Sequence, residues 1–111
     1  MTTEHVLYAN SEYTGGGVNT YYGRLSDGQY FVFELGVFML CDADYAEVFT
    51  PKFFKETGGD TYEWEKEHGT AIFFNPKEIP ENQKDIVRIA IKETFKKLKK
   101  NVDLDFAGYL V

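Results

Sequence analysis

One hundred and eleven residues, 43% of them hydrophobic and 17% aromatic, can close one core without staples and are too apolar to stay disordered. A net charge of −6 excludes a polyanion as partner for the whole surface and suits basic protein partners. The single cysteine, Cys41, excludes an intramolecular disulfide and points to a reducing, cytoplasmic setting.

Residues 5–13 alternate weakly and predict a first strand, ended by Thr14 and the glycines Gly15 to Gly17, which favour a turn. A second strand is expected over about 19–26. Asp27-Gly28 lies between β-rich runs and reads as a two-residue hairpin loop. Such a loop sets Leu25 opposite Tyr30, Gly23 opposite Val32 and Tyr21 opposite Glu34, so these six share one face. Tyr22, Arg24, Phe31, Phe33 and Leu35 fall on the other. Strand three, 29–41, is apolar on both faces apart from Glu34 and Gly36; it is expected to be central, with Gly36 as a bulge.

Over 42–55 the period of two is lost. Tyr45, Val48 and Phe49 recur at helical spacing behind Asp42 or Asp44, and Pro51 divides the stretch into two short helical turns, a short helical segment near 43–55. Thr61 to Glu65 alternates again, placing Tyr62 and Trp64 on one face against Glu63 and Glu65. Glu67-His68-Gly69 would turn that strand into another at Thr70 to Phe74.

Asn75-Pro76-Lys77-Glu78 has the character of a capping box, and Pro80 suits the first turn of a helix. From 81 to 100, Ile86, Val87, Ala90, Ile91, Phe95 and Leu98 recur at three-and-four spacing and predict one long helix with a single apolar stripe. Asp103 to Val111 alternates as a final strand. The expected fold is therefore a single α+β domain over 1–111: an antiparallel or mixed sheet of about five to six strands with the long C-terminal helix packed on one face.

Charge is sorted along the chain. Residues 1–79 carry thirteen Asp/Glu against five Lys/Arg, and 80–101 carry seven Lys/Arg against three Asp/Glu. Lys96, Lys97, Lys99 and Lys100 crowd the helix end, where the helix dipole favours cations; they serve as a solvated face or as a contact for an acidic partner or a second subunit. No basic leader precedes an apolar stretch, and the longest apolar run, Val37 to Cys41, falls far short of a membrane span. No membrane association is expected.

Catalytic chemistry finds little material. Cys41 sits in an apolar run and the two histidines, His5 and His68, have no close partners at nucleophile or metal-ligand spacing. No catalytic residue, metal site or cofactor is assigned. Gly15 to Gly17 lacks the Lys-Ser/Thr of a phosphate loop. Tyr13, Tyr21, Tyr22, Tyr62 and Trp64 could stack bases, but their strands carry more acids than cations, and nucleic acid is not an expected partner.

Glu34 is the unusual residue, an acid on a strand apolar on both sides, where ionisation is unfavourable unless the carboxylate is paired. The leading reading is a small cytoplasmic non-enzymatic protein of inhibitor, immunity or accessory type. It would bind a protein partner, or a second copy of itself, through Tyr21, Glu34, Tyr62 and Trp64. The alternative is a small-molecule pocket or minor enzyme site built around Glu34, Tyr21 and Trp64.

Overall fold

A computed structural model of the protein describes residues 5–15, 17–42, 50–58 and 61–110. Five antiparallel strands, in the order of the chain, form one sheet: β1 (Val6–Gly15), β2 (Val18–Leu25), β3 (Tyr30–Glu34), β4 (Val37–Cys41) and β5 (Gly69–Phe73). Among the described residues, two short helices, α1 (Pro51–Thr57) and α2 (Tyr62–His68), intervene between β4 and β5. The long helix α3 (Glu81–Lys97) follows, then a 3-10 segment over Leu104–Leu110. The class is α+β, as expected from the sequence.

The sheet is covered on both sides. Toward α3 it presents Tyr21, Leu25, Phe31, Phe33, Phe38 and Leu40, which pack with Val87, Ala90, Ile91, Phe95, Phe106 and Tyr109. Phe33 is central: its ring lies 5.1 Å from Tyr21, 5.9 Å from Phe95 and 4.8 Å from Phe106. The opposite face carries Tyr22, Tyr30, Val32, Met39 and Cys41, closed by Phe54 of α1 with Phe53 and Trp64 alongside. Tyr22 stacks on Phe54 with centroids 3.9 Å apart. The start of β1 is tied to α3 through Glu93, whose carboxylate accepts from the His5 N–H at 2.9 Å and from the Val6 N–H at 3.3 Å.

Four sequence expectations are corrected here. The β2–β3 connection has three loop residues, not two. Gly28 N–H donates to the Leu25 carbonyl at 3.0 Å, Leu25 N–H donates to the Gln29 carbonyl at 2.8 Å, and Gly28 takes a left-handed φ of +95°. This is the turn-plus-glycine form of a longer hairpin. The register moves by one residue, so Tyr21 pairs with Phe33, Gly23 with Phe31 and Arg24 with Tyr30. A one-residue slip exchanges the faces of one strand relative to the other.

Residues 29–41 are not a continuous central strand. Leu35 and Gly36, at φ +48° and +79°, form a two-residue turn between β3 and β4, and Glu34 pairs with Val37. Gly36 is a turn residue, not a bulge. The alternation over 61–65 belongs to a helix: Thr61 donates its hydroxyl to Glu65 one turn on, and Trp64 stacks on His68 at the same spacing. Among the described residues β5 thus pairs with β4 alone. Finally, residues 104–110 are 3-10 helix in place of a strand, because Phe106 and Tyr109, three apart, both turn into the α3-side core.

Of the segment expected near 43–55, residues 43–49 lie outside the described part, and Pro51 is the first residue of α1. The Thr50 side chain caps that helix by accepting from the Phe53 N–H at 3.1 Å. The 81–97 helix buries the predicted stripe at Val87, Ala90, Ile91 and Phe95, with Ile86 and Leu98 partly buried. Asn75 accepts from the Lys77 N–H at 2.9 Å and Glu78 accepts from the Phe74 N–H at 2.8 Å, so the capping residues act on a single 3-10 turn, Pro76–Glu78. Among the described residues no helix is long and apolar enough to cross a membrane.

Candidate functional site

The β3–β4 turn forms one wall of a cleft of about 220 Å³. Glu34 ends β3 and Leu35 is the first turn residue; Val37 and Met39 continue along β4. Ile72 and Phe74 come from β5 and the residue after it, and Lys66 comes from α2. Met39 is buried, whereas Leu35 and Phe74 are 65% and 59% exposed, so an apolar floor opens between two exposed apolar side chains. Glu34 is half-buried and accepts a hydrogen bond from the Thr20 hydroxyl on β2. That bond satisfies a carboxylate which an apolar strand would otherwise disfavour.

Local sequence explains the arrangement. Side chains alternate along a strand, so Val37 and Met39 face one side of the sheet together, while cross-strand pairing brings Ile72 next to Met39. On the seven-residue α2, Glu65 is buried and its neighbours Lys66 and Glu67 are exposed. Glu63 stands one helical turn before Lys66, also exposed.

The four residues singled out from sequence do not assemble. Tyr21 is buried on the α3 side, stacked on Phe33 and 4.8 Å from Phe95. Glu34 lines the cleft, as does Lys66. Trp64 is half-buried on the second face, 5.8 Å from Phe53 and stacked 4.2 Å from His68, whose Nδ1–H donates to the Trp64 carbonyl at 2.8 Å. Tyr62 opens α2, and its side chain is outside the described part. The pocket expected around Glu34, Tyr21 and Trp64 is therefore not formed, because the register slip put Tyr21 opposite Phe33.

Sequence reasoning passed over Leu35, Lys66, Ile72 and Phe74 as site residues. A usable signal was present at Leu35-Gly36, since a glycine at the second position of a two-residue loop marks a primed turn even when the residue before it is unusual. Glu65, set with Glu63 on the face opposite Tyr62 and Trp64 in the sequence reading, is 1% exposed.

Cys41 and Tyr22 are buried. Burial pushes the Cys41 thiol up to about 12, with the Glu65 carboxylate adding to the effect, so the thiol stays protonated and poorly nucleophilic. Burial likewise raises Tyr22 to about 12, helped by Glu12 and Tyr8. Among the described residues, no three His, Cys, Asp or Glu side chains are grouped to hold a metal ion. What the cleft offers is shape, an apolar lining and one charge of each sign. Comparison with models of known protein families, with curated proteins and with solved structures finds no match.

Proposed function

We propose that this protein is a cytoplasmic, non-enzymatic binding module that takes one apolar side chain of a basic protein segment into the cleft between Leu35, Phe74 and Lys66. The observation carrying this reading is Leu35. A leucine at φ +48° occupies a turn position that Asn, Asp or Gly would fill with less strain, and 65% of it is exposed. It helps neither the turn nor the core. Strain and exposure at a single residue support a contact role.

The size of the cleft supports a side chain in preference to a free small molecule. At about 220 Å³ it is smaller than the roughly 300–1,000 Å³ typical of small-molecule sites. Charge supports a basic flank, because Glu34 lines the cleft and Glu63 and Glu67 stand exposed on α2 around Lys66.

A displayed peptide library tests the reading. Enriched sequences are expected to share an aliphatic or aromatic residue flanked by Lys or Arg. Leu35→Asn is expected to keep or raise thermal stability while weakening capture of those peptides by about tenfold or more, as for an interface anchor. Enriched peptides lacking an apolar anchor, or binding unchanged in Leu35→Asn, would refute the proposal.

A further inference from the structure

A second hollow, of about 200 Å³, lies where the Pro76–Glu78 turn, the first half of α3 and the C-terminal 3-10 segment meet. Its lining is cationic: Lys77, Lys84 and Arg88, with Pro76, Ile79, Gly108 and the Tyr109 ring completing the walls. Lys84 and Arg88 are four apart on α3 and so project from one side of the helix. The hollow runs into a broader, shallower depression that shares Pro76, Lys77 and Gly108. Three cations around one concavity on a protein of net charge −6 call for a counter-charge.

The acids nearby do not supply a fixed one. Lys84 pairs with Glu81 at 2.8 Å and Arg88 with Asp85 at 3.1 Å, but these carboxylates are 88% and 86% exposed. Such surface pairs contribute about 0–1 kcal/mol, so a divalent anion can displace them. Glu78 is engaged with the Phe74 N–H and with Asn75 Nδ2 at 3.1 Å. The Arg88 contact to Asp85 uses an outer guanidinium nitrogen, whereas its Nε is shut off from solvent without a hydrogen-bond partner. An anion in the hollow therefore meets the outer guanidinium nitrogens of Arg88, not its Nε.

The dimensions narrow the ligand. A water molecule takes about 30 Å³ of liquid, so the hollow has room for several times the volume of one oxygen. The cations share the lining with the apolar Pro76 and Ile79 and with Gly108. Gly108 keeps its wall low, since a Cβ there would lie 3.3 Å from Pro76.

We propose that this hollow binds a phosphomonoester, its phosphate held by Lys77, Lys84 and Arg88 and its organic group lying against Pro76, Ile79 and Gly108. Arg88 offers the fork geometry that suits phosphate oxygens, and the lysines add point charges. The site is separate from the Leu35 cleft and does not rest on that reading.

Amide and Arg side-chain NMR shifts of the full chain, titrated with phenyl phosphate and with inorganic phosphate at constant ionic strength, test it. Saturable shifts are expected at Lys77, Gly108 and Arg88 Nε, with phenyl phosphate bound more tightly. Arg88→Lys is expected to weaken phenyl phosphate about tenfold through loss of the fork, and Lys77→Ala by a smaller factor, both with unchanged circular dichroism. Non-saturating shifts, shifts centred on Lys96 to Lys100, or full affinity in both variants would overturn the site. Equal affinity for the two probes would overturn the role of the apolar wall.

Discussion

The Tyr109 hydroxyl donates to the Gly36 carbonyl, 73 residues away, and lies 3.4 Å from the Phe73 carbonyl. One side chain thereby ties the C-terminal segment to the β3–β4 turn and to the end of β5. Removing the hydroxyl leaves buried carbonyls with less to accept, so Tyr109→Phe is expected to lower stability by about 1–2 kcal/mol in chemical denaturation. A neutral result would mean that the segment is held by the packing of its rings alone.

Alkali should unfold the protein in a defined window. Burial raises Tyr8, Tyr22 and Tyr109 from the ordinary 10.0 to about 12; neighbouring Tyr30, Glu12 and Glu78 respectively add to the shift. A folded-state value above the unfolded one means that the native state favours the protonated phenol. This contribution is intact below pH 10.0 and disappears as pH rises toward about 12. Phenolate absorbance and far-ultraviolet circular dichroism should therefore change together over that interval. Phenolates formed fully near the lower end with the fold retained would show these rings to be open to solvent.

Gly23 and Gly17 provide a contrast between steric and conformational effects. A Cβ on Gly23 would lie 2.2 Å from the Tyr8 carbonyl oxygen and 2.6 Å from the Phe31 ring, between strands that cannot separate without breaking their ladder. Gly23→Ala is expected to cost at least about 3 kcal/mol. At Gly17 nothing lies within 4 Å of the added atom and only the left-handed φ of +79° opposes it, so Gly17→Ala should cost about 1 kcal/mol. Similar melting temperatures for the two variants would contradict the close approach at Gly23.

Lys99 occupies the position where helices commonly place glycine. Lys100 N–H donates to the Phe95 carbonyl and Lys99 N–H to the Lys96 carbonyl, the bonding of a Schellman end, with Lys99 at φ +56°. Lys99→Gly should raise stability by about 0.5–1 kcal/mol, the relief of left-handed strain less the added freedom of the unfolded chain. Lowered stability would show that the lysine itself holds the helix end.

The sequence by itself determined the elements whose signals are long or chemically specific. The stripe from Ile86 to Phe95 repeats over enough turns to exclude a strand, and Asn75 to Glu78 names its own capping bonds. The class α+β followed from these and from the aromatic β-rich runs. The short elements depended on tertiary context. Tyr62 to Glu65 alternates, yet four or five residues fit either period; burial of Glu65 against the second face, with Thr61 and His68 each bonded one turn away, selected the helix. Asp27-Gly28 and Leu35-Gly36 exchanged the roles that propensity assigns them, because the two aromatic faces pack only with a three-residue loop at the first and a two-residue turn at the second. That choice placed Tyr21 in the core beneath α3 and left Leu35 at the mouth of the cleft. A register is decided by which faces can be buried together, and no single segment contains that information.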